Sequence, residues 1–277
     1  MTESSELSST DVRGDRFSFG ANWANYLKSI DDEKINNAAT SMKRMLGNDS
    51  LSGLRFLDIG SGSGIHSLVA RRLGATVYSL DYDTQSVECT KYLKEKFYPN
   101  DETWTVVQGS ALDDEFIRSL GEFDIVYSWG VLHHTGNMFK ALANADIPVK
   151  KNGVLFISIY NDQGPWSKYW TFVKRTYNKN RFNRFLWTYF YIALFTTKGA
   201  VKDLFLFKNP FRRYSEYKRK RGMTIHYDLI DWIGGFPFEV AKPEVILDFY
   251  SEKGYTLKKL KTCGGGFGCN EFVFVRT

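Results

Sequence analysis

Cysteine is scarce in this chain, and long apolar runs are missing. The 277 residues hold three cysteines, Cys89, Cys263 and Cys269, which make no even-numbered disulfide framework, and no Cys-x-x-Cys pair occurs. A disulfide-stapled scaffold is therefore excluded, and a reducing cytoplasm is the simplest expected setting. Cys263 and Cys269 have no His or Cys cluster beside them, so neither a metal site nor a bridge is expected there. No stretch reaches the roughly 18 consecutive apolar residues of a membrane span. The first fifteen residues are polar, rich in Ser and Thr, and carry four acidic side chains. They read as a disordered tail (1–15), not as a signal or transit peptide.

What is present is a hydrophobic content of 43%, enough for a sizeable core, and 16% aromatics, some of which can line a pocket. The length fits one domain plus an insertion. The formal charge of +6 is uneven: 208–221 contains Arg212, Arg213, Lys218, Arg219, Lys220 and Arg221. Such a run is a solvated face, or it attracts phosphate, an acidic glycan, anionic lipid or RNA.

The most informative stretch is 54–64. Leu54, Phe56, Leu57 and Ile59 read as a buried strand, and Gly60, Gly62 and Gly64 follow at alternate positions. Ile65, Leu68, Val69 and Leu73 then give a helical pattern that Gly74 stops. A strand that turns through glycines into a helix lets a ligand approach the backbone and aims N–H groups at it. The spacing does not meet the G-x-G-x-x-G fingerprint of a dinucleotide fold. Asp58, just ahead of the glycines, would repel a pyrophosphate and suits a cationic ligand instead.

Together, Asp58, Gly60, Ser61, Gly62 and Gly64 resemble the (D/E)-x-G-x-G-x-G motif I of class I S-adenosylmethionine (SAM) methyltransferases. The resemblance extends over about 50–160 and 255–277, with further similarity at 17–23 and 231–239 to a bacterial branch grouped with ubiquinone-type O-methyltransferases. It implies an α/β, Rossmann-like seven-stranded sheet with the last strand antiparallel, a helical insertion between strands 5 and 6, and SAM as cofactor. The core is then 16–160 plus 255–277, and 161–254 is an aromatic-rich substrate-recognition insertion.

The remaining strands follow that plan. A second strand over 76–80 ends in Asp81, Tyr82 and Asp83. An acidic residue about twenty positions past the glycines can accept both ribose hydroxyls, which favours Asp81, while Asp83 reads as the N-cap of a helix over 84–97. A third strand over 104–107 closes at Gly109, Ser110 and Ala111, the corner that borders adenine in the family. A fourth, 123–129, leads into Gly130, Val131, Leu132, His133 and His134, which implies that Ser128 and Trp129 lie by the methionine end of SAM. A helix over 139–149 and a fifth strand over 153–160 follow, and 255–262 and 271–276 form the closing pair. The hairpin between them (263–270, including Asn270) is expected to border the substrate pocket or to be an ordinary flexible turn.

The insertion opens with Asn161 at the crevice. Helices are expected over 169–177 and 181–195. The second is apolar nearly all round, which means burial in a cap or dimer interface, or contact with lipid. Asp231, Trp232 and Glu239 are the candidate polar and stacking contacts of a binding wall. A helix over 240–249 carries Pro243 in its first turn.

Methyl transfer needs alignment and, for some acceptors, a base. His133 or His134 fits that role, with His226 a further candidate and His66 expected to pack. Strand four lacks the Pro-Pro motif of exocyclic-amine methylation, no cysteine stands after strands four or five for pyrimidine C5 attack, and carboxylates do not cluster for a metal-dependent catechol type. A small-molecule, glycan or lipid-linked hydroxyl remains by exclusion. The alternatives are an RNA methyltransferase that uses 208–221 and a SAM-binding scaffold without catalysis. A homodimer and peripheral membrane contact are both compatible with the insertion.

Overall fold

The computed structural model describes Phe17, Gly20, Trp23, Leu27 and residues 30–206 and 225–277. The tail 1–15 and the basic run 208–221 lie outside the described residues, as do the side chains of His226 and Asp231.

After helix α1 (Asp32–Leu46), strands β1 (Arg55–Ile59), β2 (Thr76–Asp81), β3 (Trp104–Gln108), β4 (Phe123–Trp129) and β5 (Val149–Tyr160) alternate with α2 (Ile65–Arg72), α3 (Thr84–Phe97), α4 (Asp114–Ser119) and α5 (Met138–Asp146). The insertion contributes α6 (Pro165–Lys179), α7 (Arg181–Phe205) and α8 (Ile225–Gly234). Helix α9 (Pro243–Ser251), β6 (Tyr255–Lys261) and β7 (Cys269–Arg276) complete the chain. One seven-stranded sheet has the order β3-β2-β1-β4-β5-β7-β6. β1 to β5 pair in parallel, and β7 runs antiparallel between β5 and β6.

Alternate strand residues feed two cores, as the pleat requires. Leu57, Val126, Ile157 and Phe272 pack on one face with α5 and α9 residues. Phe56, Ile125, Phe156 and Val273 pack on the other with residues of α1 and α2. Burial on both faces explains why β1 is a nearly continuous apolar run. A third cluster, built on Trp170, Val173, Tyr177, Tyr191 and Ile233, belongs to the insertion. The order of strands reverses between β1 and β4, so the crevice of an open parallel sheet opens at their carboxyl ends.

Several boundaries differ from the sequence expectation. β5 starts at Val149, which pairs with Phe123, instead of at 153. The polar Lys150, Lys151 and Asn152 resemble a loop, but the strand runs through them; Asn152 takes a φ of 60° and the pairing register shifts. The preceding helix ends at Asp146 accordingly. Pro165 and Pro243 occupy the first turns of their helices, which sets the starts of α6 and α9.

Helix α7 departs furthest. It runs on to Phe205, past the expected end at 195, and only Thr188, Tyr191 and Asp203 are buried. Most of its apolar residues face outward, so burial within the cap does not account for its composition.

Candidate functional site

The loop after β1 holds its shape through glycine. Gly60, Gly62 and Gly64 adopt φ of 82°, 55° and 81°, a region that side chains disfavour. At Gly60 space is decisive as well: a Cβ there would stand 2.4 Å from Cγ1 of Val131. The Gly60 and Ser61 amides donate to the Leu80 carbonyl at 2.8 and 3.0 Å, locking the loop to the end of β2. Asp81 stands at that end. Its carboxylate accepts from the Gly62 amide and the Asp83 amide, each at 2.9 Å. Asp83 caps α3 through the Gln85 amide, as its position predicts.

Asp58 lies under the loop, buried, not on the crevice wall. A hydrogen-bond relay ends on it: the Trp104 indole N–H donates to Ser79 Oγ (2.9 Å), Ser79 to Ser67 Oγ (2.7 Å), and Ser67 to Asp58 Oδ2 (2.5 Å). While Asp58 is ionised, the Ser67 hydroxyl proton is committed to it and Ser79 is the donor in the middle pair. Burial pushes the Asp58 carboxyl up to about 7, and the negative Asp81 adds to the rise, against the Ser67 hydrogen bonds. Two carboxyl groups near the glycine loop thus form an acidic site that suits a cationic ligand.

The ends of the other strands frame the crevice. Tyr82 is exposed, and its carbonyl accepts from Gln108 Nε2. Ser110 turns its hydroxyl to the Leu112 amide at 3.1 Å, while Ala111 is buried and its carbonyl receives Asn144 Nδ2. Ser128 is fully buried, and its hydroxyl donates to the Ile59 carbonyl at 2.8 Å, bracing β4 against β1. Trp129 is exposed at the strand end, 6.1 Å from the His66 ring; Tyr127, on the same face of β4, lies 5.1 Å from it. Burial there pushes the His66 imidazole down to about 4.

The two histidines of the turn Leu132–His134 have different partners. His133 is buried; its Nδ1 accepts the Tyr160 amide at 3.3 Å. Burial, then the neighbouring His134 and Lys174, hold its pKa well below the usual imidazole value. His134 Nδ1 lies 2.6 Å from the Pro237 carbonyl. A carbonyl only accepts, so that nitrogen carries the proton and the lone pair of the neutral ring sits on Nε2. Both rings pack on Tyr160, at 4.2 and 5.6 Å between centroids, and Tyr160 in turn meets Phe238 (5.1 Å) and Trp232 (5.9 Å). The insertion is thereby placed beside the carboxyl ends of β4 and β5.

The insertion candidates separate into three groups. Trp232 joins this aromatic cluster; its carbonyl accepts from the buried Lys174, whose Nζ stands 4.7 Å from the ring centres of both Trp232 and Phe238. Glu239 reaches the start of α5, where Oε1 takes the Met138 amide at 3.0 Å, and Oε2 is buried with no hydrogen-bond partner among the described residues. Burial raises its pKa. Asn161 and Asn270 meet each other, Nδ2 of Asn270 donating to Oδ1 of Asn161 at 3.0 Å. The glycine-rich hairpin packs on the insertion through Gln163 Nε2 to the Gly266 carbonyl (3.0 Å) and through Phe267, 6.3 Å from both Trp170 and Trp232. Among the described residues no three His, Cys, Asp or Glu come together as a metal site.

Sequence reasoning missed Trp23, Val131, Tyr160, Phe238 and Lys174 as parts of the site. Trp23 covers the loop: a Cβ on Gly62 would meet its indole at 3.0 Å. The aromatic density at 17–23, just after a polar tail, was the available signal. Lys174 gives none, since a buried lysine reads like any other basic residue on a helix.

Comparison with known proteins agrees with this geometry. A family model described as "Methyltransferase domain" matches residues 32–194, more than half of the chain. The ubiquinone biosynthesis O-methyltransferase of Pelagibacter ubique is 25% identical over 111 residues, 40% of this chain and 44% of that protein. That of Brucella melitensis biotype 2 is 30% identical over 112 residues, 40% and 43% of the two chains. The alignments thus span less than half the length of these curated relatives. Among solved structures, the magnesium protoporphyrin IX methyltransferase of Synechocystis PCC 6803 with bound S-adenosylhomocysteine superposes with a TM-score of 0.55 at 14% identity, over 93% of this chain and 94% of that one. A SAM-dependent methyltransferase from Anabaena variabilis gives 0.52 at 11% identity over 94% of each. At such identities these structures show a shared fold.

Proposed function

Because this chain belongs to the methyltransferase-domain family and is a class I SAM-dependent methyltransferase, we propose that it methylates a hydroxyl oxygen. The acceptor is a small molecule, a sugar or a lipid-linked precursor, seated between the carboxyl ends of β4 and β5 and the insertion. The residues fit the cofactor. The Gly60 to Gly64 loop admits a ligand to its backbone, Asp81 offers a carboxylate at the ribose position, and Asp58 adds negative charge beneath when it is ionised.

SAM supplies an electrophilic methyl group on a sulfonium, and the departing sulfide needs no acid. The chain must therefore hold the cation, align the acceptor and take up a proton. His134 takes the proton: its Nδ1–H is anchored on the Pro237 carbonyl, which fixes the ring and leaves Nε2 as the basic nitrogen. His133, buried and held neutral, orients the turn and supports Tyr160.

The His134 to Pro237 contact is the observation that carries the oxygen reading, because a hydroxyl must lose its proton on methylation and a positioned imidazole can take it near neutral pH. The Pelagibacter and Brucella relatives are named as O-methyltransferases, which supports it. The test is incubation of the protein with cell extract and methyl-labelled SAM, followed by mass spectrometry. The expected product is an O-methylated small molecule or lipid that disappears with His134→Gln. Label on nitrogen, or on RNA, would refute the reading, and no labelled product at all would leave a scaffold.

A further inference from the structure

Between Asp162 and Asp203 the chain contains no Asp or Glu, but it contains eight Lys and Arg residues. All of these except Lys174 are exposed. This stretch covers α6 and all of α7 up to Lys202; the one acid in the two helices, Asp203, is buried.

Helix α7 carries two apolar faces. Tyr191 and Trp187 turn inward, stacking at 5.2 Å on Trp170 and donating from Nε1 to Thr176 Oγ1, respectively. Phe182, Phe185, Leu186, Tyr189 and Phe190 turn outward, with Phe182 at 71% and Phe185 at 62% exposure. Their spacing is i, i+3, i+4, i+7, i+8, one continuous stripe of a helix, and Leu204 extends it to the far end of the helix. At 1.5 Å per residue the 25-residue helix is about 37 Å long. Arg181, Arg184, Lys198 and Lys202 are exposed along it. On α6, Trp166 and Phe172 are exposed as well.

We propose that this outer face of α6 and α7 docks on an anionic lipid bilayer. An exposed stripe of aromatic and aliphatic side chains, on a helix whose exposed charges are all cationic and lie off the stripe, is the composition of a helix lying in a bilayer interface. Aromatic rings favour the headgroup level, and each cation is attracted to acidic headgroups. A second copy of the chain is a poor occupant, since the exposed charges of both helices are all cationic and a symmetric contact would offer them no acidic partner from the same helices. No described helix is long and apolar enough to cross a membrane, so the contact lies in the plane of the surface. Helix α6 begins five residues after β5, next to Asn161. Docking would therefore present the acceptor side of the crevice to the bilayer. The docking itself stands independently of the methylated atom.

The test is flotation of the full chain with phosphatidylcholine vesicles, with and without phosphatidylglycerol. The protein is expected to rise with the anionic vesicles and to remain behind with pure phosphatidylcholine. Reversing two cations, Arg181→Glu with Arg184→Glu, should lower the partition about tenfold or more. Leu186→Ser with Phe190→Ser should lower it at both low and high salt. SAM affinity by calorimetry and helical circular dichroism should be unchanged in the arginine pair, which keeps the test valid if the apolar pair misfolds. No flotation with anionic vesicles, or full flotation of the arginine pair, overturns the proposal. So does RNA binding that the arginine pair abolishes without any vesicle binding, or a dimer in sedimentation that the apolar pair dissociates without any vesicle binding.

Discussion

Phe56 on β1 and Phe185 on α7 are the same side chain in opposite settings. Phe56 is fully enclosed between Tyr127, at 5.6 Å, and the helices of the sheet's α1–α2 face. Phe185 touches Tyr189 on its own helix and otherwise faces outward. The difference separates the tasks of the two regions. In the sheet core, aromatic residues are enclosed and held for stability. On the outer face of α7, they are exposed, add little to packing and are available for contact with something else. The fit is tight at the glycine loop, where one added carbon on Gly60 would collide with Val131.

The sharpest way to break that contrast is at Gly60. Gly60→Arg should abolish SAM binding, a loss of more than about a hundredfold by calorimetry, because both the φ and the space at this position exclude a side chain. Phe185→Arg on the insertion should leave SAM affinity unaltered. Tight SAM binding by the Gly60 variant would show that the loop is not the cofactor cradle.

Stability should divide along the same line. Phe56→Ala should cost about 3–5 kcal/mol in urea unfolding, whereas Phe185→Ala should stay within about 0.5 kcal/mol. Equal costs would mean that the outer face of α7 is covered in solution, which would also bear on its proposed partner.

His134→Gln should lower kcat about a hundredfold while leaving SAM affinity in place, which separates proton transfer from cofactor binding. If SAM affinity falls in parallel, the histidine packs against the cofactor instead.

The last test concerns Asp58. Its folded-state carboxyl titrates near 7 against an ordinary value of 3.8. The folded chain therefore holds this proton more tightly than the unfolded chain, and the stability it contributes is complete below pH 4 and lost as pH rises through 7. Asp58→Asn should flatten that decline in unfolding measurements across pH 4 to 7. A cationic cofactor favours the ionised carboxyl, so SAM affinity should strengthen from pH 6 to 8, by at most about tenfold per unit, and Asp58→Asn should remove the trend.

Much of this arrangement is legible in the chain. The strands are short apolar runs that end in glycine or acid, and their order follows from the resemblance carried by Asp58, Gly60, Gly62 and Gly64. Motif reasoning cannot separate a residue that faces the crevice from one that supports it. Asp58, Ser128 and Ala111 sit in the right segments, but the pleat turns the first two inward to partners on neighbouring elements and the turn after β3 buries the third. Tyr160 and Lys174 were not legible, because their surroundings come from segments far away in sequence: Phe238 and Trp232 meet them only after the insertion folds back. The outward stripe of α7 has the same origin. Periodicity shows that the helix is apolar nearly all round, and only packing decides which half is covered.

Val131 has one further effect. It separates two neighbourhoods, with its methyl groups against Gly60 and the His133 and His134 turn immediately following it. The glycine bend, where the nucleoside is proposed to sit, packs against this side chain, and the backbone runs directly from it into the imidazole pair. Under the proposed function, occupancy on one side is therefore expected to be felt on the other. By linkage, an acceptor that tightens the hold on SAM must itself be held more tightly, by an equal factor, once SAM is seated. Replacing Val131 with alanine would loosen this mechanical tie and let the two ligands bind as strangers.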